Sequence, residues 1–309
     1  MTPPRPAAAN LPPAAQVLLD FQPTHDVFVG IDSDGCAFDA MEIKHQECFT
    51  PSTIKHWGLQ PVAKAAREVA LFVNLYSTTR GLNRWVALKR VFDLLPTHPD
   101  VVARGFVGPR GEALQAFLDS GYPLSDLGIQ QWASEHPSEE MSRALAWGAA
   151  VNAAIADMVH GVPPFPYVRE TIALMSGTAD LMVVSATPVE ALQREWGEHG
   201  LAPYMSVIAG QEMGGKAQHV QAAAMGKYAD AEHVLLIGDA PGDRDAARAA
   251  GCLFYPINPG HEAASWRRLH DEAYARFTSG TYAGDYQDAL IAEFEALLPD
   301  TPPWLGRHA

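Results

Sequence analysis

Cysteine is scarce in this sequence. The 309 residues contain three cysteines, Cys36, Cys48 and Cys252. They have neither the paired spacing of a zinc site nor the density of a disulfide-stabilised secreted domain. A His-Glu-x-x-His pattern is also missing, which excludes a common zinc hydrolase motif. We therefore expect a protein of a reducing compartment, the cytoplasm, that does not depend on zinc.

Basic residues are also few. The chain has 22 Lys and Arg residues against 36 Asp and Glu residues, a formal net charge of −14. Without a basic excess to neutralise phosphates, nonspecific binding to nucleic acid is disfavoured, although a local positive pocket is compatible with this charge. We expect no nucleic-acid partner.

Long apolar runs are missing as well. No stretch of the sequence approaches the ~20 apolar residues that cross a bilayer, and residues 1–15 are rich in Pro and Ala without the apolar core of a signal peptide. We expect no membrane partner. We interpret residues 1–22 as an N-terminal arm, of which residues 1–15 are disordered or loosely attached. The apolar content of 48% and charged content of 19% are typical of a globular protein. A chain of 309 residues is long enough for one large and one smaller domain.

An apolar run that ends in two aspartates is the most informative stretch of the chain. Val27–Ile31 has the pattern of a buried parallel strand, and Asp32 and Asp34 follow it. Two carboxylates this close repel each other, so they imply a cation or a shared proton. With Mg²⁺ and a phosphate, one could attack phosphorus while the other handles the leaving group's proton. Taken alone, Asp-Ser-Asp-Gly is better explained as a solvated turn.

Residues 41–160 have helical patterns. Pro, Gly and Asn separate five predicted helices, at residues 62–76, 84–95, 111–119, 125–135 and 138–160. The Pro-rich segment 161–166 ends this block. We interpret residues 41–160 as an all-α domain inserted after the first strand.

Strands and helices alternate after this block. The predicted strands are residues 181–185, 205–209, 233–239 and 252–255, with predicted helices between them. Such alternation predicts a parallel sheet with helices on both faces. The fold class is therefore α/β, with a doubly wound core of residues 23–40 and 161–260. Residues 261–309 form a predicted C-terminal helical extension, for which core packing, dimerisation and pocket lining all stay open, as does the oligomeric state.

Polar residues occur where the later predicted strands end. Ser185 and Ala186 follow one strand, Lys216 begins a helix, and Asp239 and Asp243 follow another strand. A hydroxyl, backbone N–H groups and a lysine could together hold a phosphoryl group. Helix capping is the ordinary alternative for Ser185 and Asp243, and solvent exposure is the alternative for Lys216. Neither explains Asp239.

Together these positions resemble the haloacid dehalogenase superfamily, the Mg²⁺-dependent hydrolases with an aspartate nucleophile. The four motifs of that family occur in order, as Asp32-Ser33-Asp34-Gly35, Ser185 after an apolar strand, Lys216, and Gly238-Asp239-Ala240-Pro241-Gly242-Asp243. Each motif is loose by itself, but four in sequence at strand ends are specific. The resemblance covers residues from about 26 to about 259.

The resemblance implies a role for each residue of the first three motifs. Asp32 would be the nucleophile that forms an aspartyl-phosphate, and Asp34 would be the general acid and base. Ser185, Ala186 and Lys216 would bind the phosphoryl group. Because halide leaves without a proton, the presence of Asp34 favours a phosphatase acting on a small phosphorylated metabolite, with a phosphomutase as the alternative.

Mg²⁺ is the cofactor that the resemblance implies. It would be held by the Asp32 carboxylate, the Asp34 backbone carbonyl and Asp239. Asp243 would assist through water or by orienting Lys216. Oxygen ligands of this kind suit a hard divalent cation.

The inserted helices resemble the cap that closes over the site in this family and selects the leaving group. The polar, basic connection at residues 77–85 offers Arg80 and Arg84 as candidate contacts to an anionic leaving group. Charged loops between helices are more often simply solvated, so this assignment is a hypothesis.

Two other classes of function have to be weighed. Residues 210–216 fit the phosphate-binding loop G-x-x-x-x-G-K of nucleotide triphosphatases, but Ala217 stands where such a loop needs a Ser or Thr hydroxyl for Mg²⁺. That interpretation also leaves Asp32 and Asp34 without a role. A non-catalytic phospho-ligand binding protein on the same fold is the other alternative, because a fold does not determine a function.

Overall fold

The computed structural model describes residues 11–306, which form two compact units. One unit contains a β-sheet and comprises the residues up to Ala40 together with Gly161–Leu297. The other unit is helical and comprises Met41–His160 together with the residues from Leu298 onward. The chain thus leaves the sheet unit after its first strand and returns to it at Gly161.

The N-terminal segment packs on the sheet unit. Helix α1 (Gln16–Asp20) buries Leu18 completely. The Lys227 ammonium donates to the carbonyl oxygens of Leu18 and Phe21, at 2.9 and 2.8 Å. A cation in this place satisfies carbonyls that a helix end leaves without partners. Residues 13–15 form a helical turn in which Ala15 is buried, so the prediction of a disordered or loosely attached start is wrong for residues 11–15. Residues 1–10 lie outside the described residues.

The sheet of the described chain has five parallel strands. The strands are β1 (Val27–Ile31), β2 (Ala179–Val184), β3 (Val207–Ala209), β4 (Val234–Gly238) and β5 (Leu253–Pro256). Every residue of β1, β2, β4 and β5 is buried, which explains their largely apolar character. The predicted α/β class with a parallel sheet is confirmed.

The strand order β3-β2-β1-β4-β5 reverses its direction beside β1. Right-handed crossovers place the connecting helices of the two halves on opposite faces, so the sheet is doubly wound. Ile31 of β1 pairs with Ile237 of β4, which brings the carboxyl ends of these two strands side by side. Sheets of this type bind ligands at this reversal, outside the carboxyl ends of the strands.

The described part of the helical unit contains eight α-helices of different lengths. They are α2 (Ala40–Ile43), α3 (Thr50–His56), α4 (Ala63–Asn74), α5 (Arg84–Leu94), α6 (Pro99–Ala103), α7 (Glu112–Leu118), α8 (Asp126–Glu135) and α9 (Glu139–Met158). The five predicted helices correspond to α4, α5, α7, α8 and α9. Helices α2 and α3 escaped prediction because the π-helical turn Lys44–Phe49 between them breaks the 3.6-residue period.

Side-chain caps begin four of these helices. The side chains of Asn83, His98, Ser125 and Ser138 accept backbone N–H groups at the starts of α5, α6, α8 and α9. The apolar faces of the helices enclose a core that includes Trp85 and Trp147, whose ring centroids are 5.3 Å apart. In residues 11–306, none of the helices is both long and apolar enough to cross a membrane.

Seven further helices belong to the sheet unit. They are α10 (Val168–Met175), α11 (Val189–Glu198), α12 (Lys216–Ala223), α13 (Pro241–Ala250), α14 (Glu262–Arg268), α15 (Tyr274–Thr278) and α16 (Asp285–Ala296). Trp266 and Phe277 are buried in the same apolar cluster as the strands. Trp304, by contrast, packs on Phe72 of the helical unit with ring centroids 5.5 Å apart. The structure therefore divides the segment 261–306 between the two units.

Candidate active site

The turn after β1 is the first part of the candidate site. The backbone N–H of Asp32 donates to the carbonyl oxygen of Ile237 at 3.0 Å, which keeps the end of β1 beside the end of β4. Asp32 is only 4% exposed. Gly35 has a φ of 77°, a left-handed conformation that lets the chain turn sharply after Asp34. A buried carboxylate is costly unless it has charged or hydrogen-bonding partners, so the partners of Asp32 are central to the site.

The turn after β4 supplies two more buried carboxylates, Asp239 and Asp243. Oδ2 of Asp243 accepts the backbone N–H groups of Asp239 and Ala240, at 3.2 and 3.0 Å. A Cβ atom at Gly238 would lie 2.3 Å from Cβ of Asp243, so only glycine fits there. Asp243 is thereby held against the strand end, and Asp239 lies at the tip of β4.

Lys216 joins these two turns. It begins α12 directly after Gly214 and Gly215, the first of which has a φ of 111°. Its Nζ lies 2.8 Å from Oδ2 of Asp32 and 2.5 Å from Oδ1 of Asp243. Burial alone would lower the pKa of Lys216, but the charges of Asp243 and Asp32 outweigh it and raise that pKa. The two carboxylates therefore favour the charged form of the lysine.

The three carboxylates form one cluster. Oxygen atoms of Asp32, Asp239 and Asp243 lie within 4.8 Å of one another. Burial raises the pKa of Asp32 well above its usual range, Lys216 opposes this rise, and Asp243 and Asp239 add to it. Three carboxylates and one ammonium carry a net charge of −2 when all are ionised, which one divalent cation would neutralise. The donors are hard carboxylate oxygens, so the residues fit Mg²⁺.

Asp34 has its carboxylate beside a different loop. Its Oδ2 accepts a hydrogen bond from the hydroxyl of Thr187 at 2.8 Å. The N–H of Gly35 donates to the carbonyl oxygen of Phe38 at 2.8 Å and closes the turn. Asp32 thus contacts Lys216 while Asp34 contacts the loop that follows β2, so the turn at Gly35 separates the two carboxylates as the sequence suggests.

Ser185 and Ala186 lie on the loop that follows β2. Ser185 is buried, and its N–H donates to the carbonyl oxygen of Ala209 at 3.1 Å. Its Oγ accepts the N–H of Thr187 at 3.2 Å, and Ala186 is exposed. Through Thr187, the predicted phosphate-binding loop is in contact with the Asp34 turn.

Arg80 and Arg84 belong to the helical unit and take part in its packing. Arg80 is buried and donates to the carbonyl oxygen of Leu75 at 3.0 Å. Arg84 donates to Oδ1 of Asn152 at 2.6 Å and lies over the Phe49 ring, 5.3 Å from its centroid. Burial lowers the pKa of Arg84. A role for either arginine in binding a leaving group stays a prediction.

Two residues at this site, Ser33 and Thr187, have no predicted role from the sequence. The buried Ser33 hydroxyl donates to Oε2 of Glu195 at 2.8 Å and accepts the indole N–H of Trp196 at 2.9 Å. No local pattern around Ser33 indicates partners on a helix so distant in sequence. Thr187 does have a signal, because it is a hydroxyl residue in the loop directly after β2, at the carboxyl edge of the sheet.

Comparisons with known proteins give matches among solved structures. No protein-family profile matches the chain, and no curated protein sequence matches it. A haloacid dehalogenase-like family hydrolase from Streptococcus pneumoniae is 15% identical, with a TM-score of 0.42 over 78% of this chain and 90% of that one. A predicted phosphoglycolate phosphatase from Haemophilus somnus is 15% identical, with a TM-score of 0.44 over 75% and 85%.

A hydrolase of the haloacid dehalogenase superfamily from Geobacter sulfurreducens is a third match. It is 14% identical, with a TM-score of 0.36 over 76% of this chain and 89% of that one. Matches this distant carry no information about function, so function is inferred from the site alone.

The fold and the site together define a class of protein. It is a doubly wound α/β protein with three clustered carboxylates, paired with one lysine, at the carboxyl ends of β1 and β4. A site of this kind can bind a divalent cation and a group with several anionic oxygens. Phosphoryl transfer is the chemistry that depends most on such charge neutralisation and alignment.

Proposed function

We propose that the chain is a member of the haloacid dehalogenase superfamily and hydrolyses small phosphate monoesters with the help of Mg²⁺. The observation that carries this proposal is the joint contact of Lys216 with Asp32 and Asp243 beside Asp239. This arrangement joins three of the four sequence motifs at one point of the sheet. Further support comes from the contact between Thr187 and Asp34, which links the remaining motif to the first.

Two carboxylates carry out the chemistry in this proposal. Asp32 attacks phosphorus and forms an aspartyl-phosphate, while Asp34 gives a proton to the leaving oxygen as the ester bond breaks. Asp34 then accepts a proton from water, whose oxygen attacks phosphorus and releases Asp32 and inorganic phosphate. Each step is balanced, because the proton that Asp34 donates is returned to it by the water.

The phosphoryl group is held by Lys216, the Ser185 hydroxyl and the backbone N–H of Ala186. Asp32, Asp239 and the backbone carbonyl of Asp34 would hold Mg²⁺, with Asp243 orienting Lys216. When bound, Mg²⁺ supplies charge neutralisation and alignment of the phosphoryl oxygens. The lysine shields Asp32 from the negative charge of the incoming phosphate.

The pairing of Lys216 disfavours the nucleotide triphosphatase alternative. In a phosphate-binding loop that lysine contacts a nucleotide, whereas here it contacts Asp32 and Asp243. A phosphomutase would use the same residues and would differ in returning the phosphoryl group to substrate. The two activities are separated by measuring inorganic phosphate.

The test is hydrolysis of para-nitrophenyl phosphate by the purified protein, with Mg²⁺ and with EDTA. We expect Mg²⁺-dependent release of inorganic phosphate, and a loss of about 10³-fold or more in Asp32→Asn. Asp288→Asn, an exposed substitution on α16, is the matched control. Activity that survives Asp32→Asn, or that persists in EDTA, rejects the mechanism. Nucleotide binding without any phosphatase turnover would favour the triphosphatase or binding-protein alternative.

A further inference from the structure

The hydrogen bond between Thr187 and Asp34 links two segments that are distant in sequence. The Thr187 hydroxyl lies 2.8 Å from Oδ2 of Asp34, and the two residues are 153 positions apart. A threonine that only closes its own turn would direct its hydroxyl to a backbone group nearby. The bond to Asp34 therefore calls for an explanation beyond local turn geometry.

The backbone of Thr187 is held from both sides. Its N–H donates to Oγ of Ser185 at 3.2 Å, and its carbonyl oxygen accepts the N–H of Gln211 at 3.1 Å. Pro188 follows with a φ of −56°, which its ring restricts. A Cβ atom at Gly210 would lie 2.6 Å from the Thr187 carbonyl oxygen, so the neighbouring loop approaches closely only because it has glycine there. The backbone that carries the Thr187 hydroxyl is consequently fixed in place.

Asp34 lies in a short turn. The turn contains Gly35 in a left-handed conformation, and Asp34 itself is only partly buried. A carboxyl group that transfers a proton must be oriented toward the leaving oxygen, and small misplacements are costly. A fixed hydrogen-bond donor on one of its oxygens restricts the rotation of that group.

We propose that Thr187 is a positioning residue that orients the Asp34 carboxyl group for proton transfer to the leaving group. The inference depends on the proposed phosphatase function, in which Asp34 is the general acid and base. Thr187 touches neither the phosphoryl group nor the leaving group in this proposal and acts through Asp34. Its role is therefore largest for substrates whose leaving oxygen most needs a proton.

The leaving group provides a readout that a purely structural role would not produce. An alkyl phosphate loses a strongly basic alkoxide and needs the proton, whereas para-nitrophenolate is a weak base that leaves with little help. The ratio kcat/KM reports the steps up to departure of the leaving group. Comparing kcat/KM for the two substrates therefore measures the effect of Asp34 orientation on proton transfer to the leaving group, without a contribution from later hydrolysis of the aspartyl-phosphate.

The experiment compares Thr187→Val, which keeps the shape but lacks the hydroxyl, with Thr187→Ser, which keeps the hydroxyl. For Thr187→Val we expect kcat/KM to fall by about 10- to 100-fold on the alkyl phosphate and by at most about threefold on para-nitrophenyl phosphate. Thr187→Ser should restore most of the alkyl phosphate activity. The inhibition constant of inorganic phosphate should stay unchanged in both variants, because the loop at Ser185 remains intact.

Equal losses on both substrates, or a Thr187→Ser variant as impaired as Thr187→Val, would overturn the proposal. If Thr187→Val does not fold, Thr187→Ala against Thr187→Ser gives the same contrast. Wild-type protein that hydrolyses neither substrate would refute both this inference and the proposed function. Wild-type activity that Asp32→Asn abolishes, together with equal losses in Thr187→Val, refutes the role of Thr187 alone.

Discussion

The ammonium of Lys216 lies 2.8 Å from Oδ2 of Asp32, so the first turn of α12 is joined to the end of β1. The same ammonium is 2.5 Å from Asp243, at the start of α13. One side chain therefore neutralises part of the negative charge that two neighbouring strands deliver to the sheet edge. The stability of this region should depend on that charge and on a bound cation.

Replacing Lys216 should destabilise the protein most when no divalent cation is present. Lys216→Met leaves three clustered carboxylates without their ammonium, and breaking a buried ion pair costs about 3–5 kcal/mol. Urea denaturation in EDTA measures this loss, and added Mg²⁺ should recover part of it. The control is Lys64→Met, whose side chain is 81% exposed in the wild-type protein. Equal stability of Lys216→Met and wild type in EDTA would contradict the prediction.

Mg²⁺ should raise the thermal unfolding midpoint of the wild-type protein in a concentration-dependent way. A ligand that binds only the folded state stabilises it by about 2.7 kcal/mol at 100 times its dissociation constant. Asp239→Asn removes one carboxylate of the cluster, so its Mg²⁺ dissociation constant should rise at least about tenfold. Thermal melts across a Mg²⁺ series measure both effects, with Asp288→Asn as the reference. If the unfolding midpoint of the wild type does not change with Mg²⁺ concentration, the proposed metal site is refuted.

Ser33→Ala should weaken both stability and turnover. The substitution leaves Glu195 and the indole N–H of Trp196 without the Ser33 hydroxyl, and an unsatisfied buried group costs about 1–3 kcal/mol. Because Ser33 lies between Asp32 and Asp34, the turn should also lose its alignment and kcat should fall. A double-mutant cycle with Trp196→Phe, measured by urea denaturation and by kcat, tests the contact. Strict additivity of the two substitutions would show that the hydrogen bond contributes nothing.

Asp180 should make the stability of the sheet unit dependent on pH. Burial alone would raise the pKa of Asp180, but hydrogen bonds from Thr24, Tyr228 and His25 outweigh it and lower that pKa. Since the folded value lies below the unfolded one, the stabilisation is present above about pH 4 and is lost as the pH falls below it. Asp180→Asn should therefore cost about 2–3 kcal/mol at pH 7.

The measurement is urea denaturation of wild type and Asp180→Asn at several pH values. The difference between the two proteins should shrink steadily once the pH drops below about 4. Asp288→Asn, exposed on α16, should show no such change. A difference that grows on acidification would reverse the sign of the proposed linkage.

Most of the fold could be predicted from hydrophobic patterns because the strands are buried on both faces. Continuous apolar runs at β1, β2 and β4 and the alternation with helices predict a parallel sheet directly. The patterns failed at α2 and α3, where the π-helical turn shifts the period, and at α1, whose short length gives no periodic signal. Leu18 is buried there by contacts that a local pattern does not contain.

In the candidate site, local sequence patterns indicate some of the residues, whereas the contacts between distant segments are visible only in the tertiary structure. Strand ends and helix starts can be recognised from local sequence patterns, and parallel strands end at one edge of a sheet. For this reason the sequence could indicate Asp32, Lys216 and Asp239 as neighbours. The hydrogen bonds from Thr187 to Asp34 and from Ser33 to Glu195 join segments more than 150 positions apart. Their geometry depends on how the loop after β2 and helix α11 pack against the turn that follows β1.

The amino-acid sequence determines the order of the elements, the class of fold and the identity of the charged groups at the strand ends. It does so because the periodicity of apolar residues and the presence of turn residues are local properties. Folding in three dimensions decides which of those groups meet. Lys216 pairs with both Asp32 and Asp243 because the β1–β4 register and the close approach at Gly238 bring their backbones together. Thr187 contacts Asp34 because the close approach at Gly210 positions the loop after β2. Distances of 2.5–2.8 Å between groups so far apart in sequence are set by that packing alone.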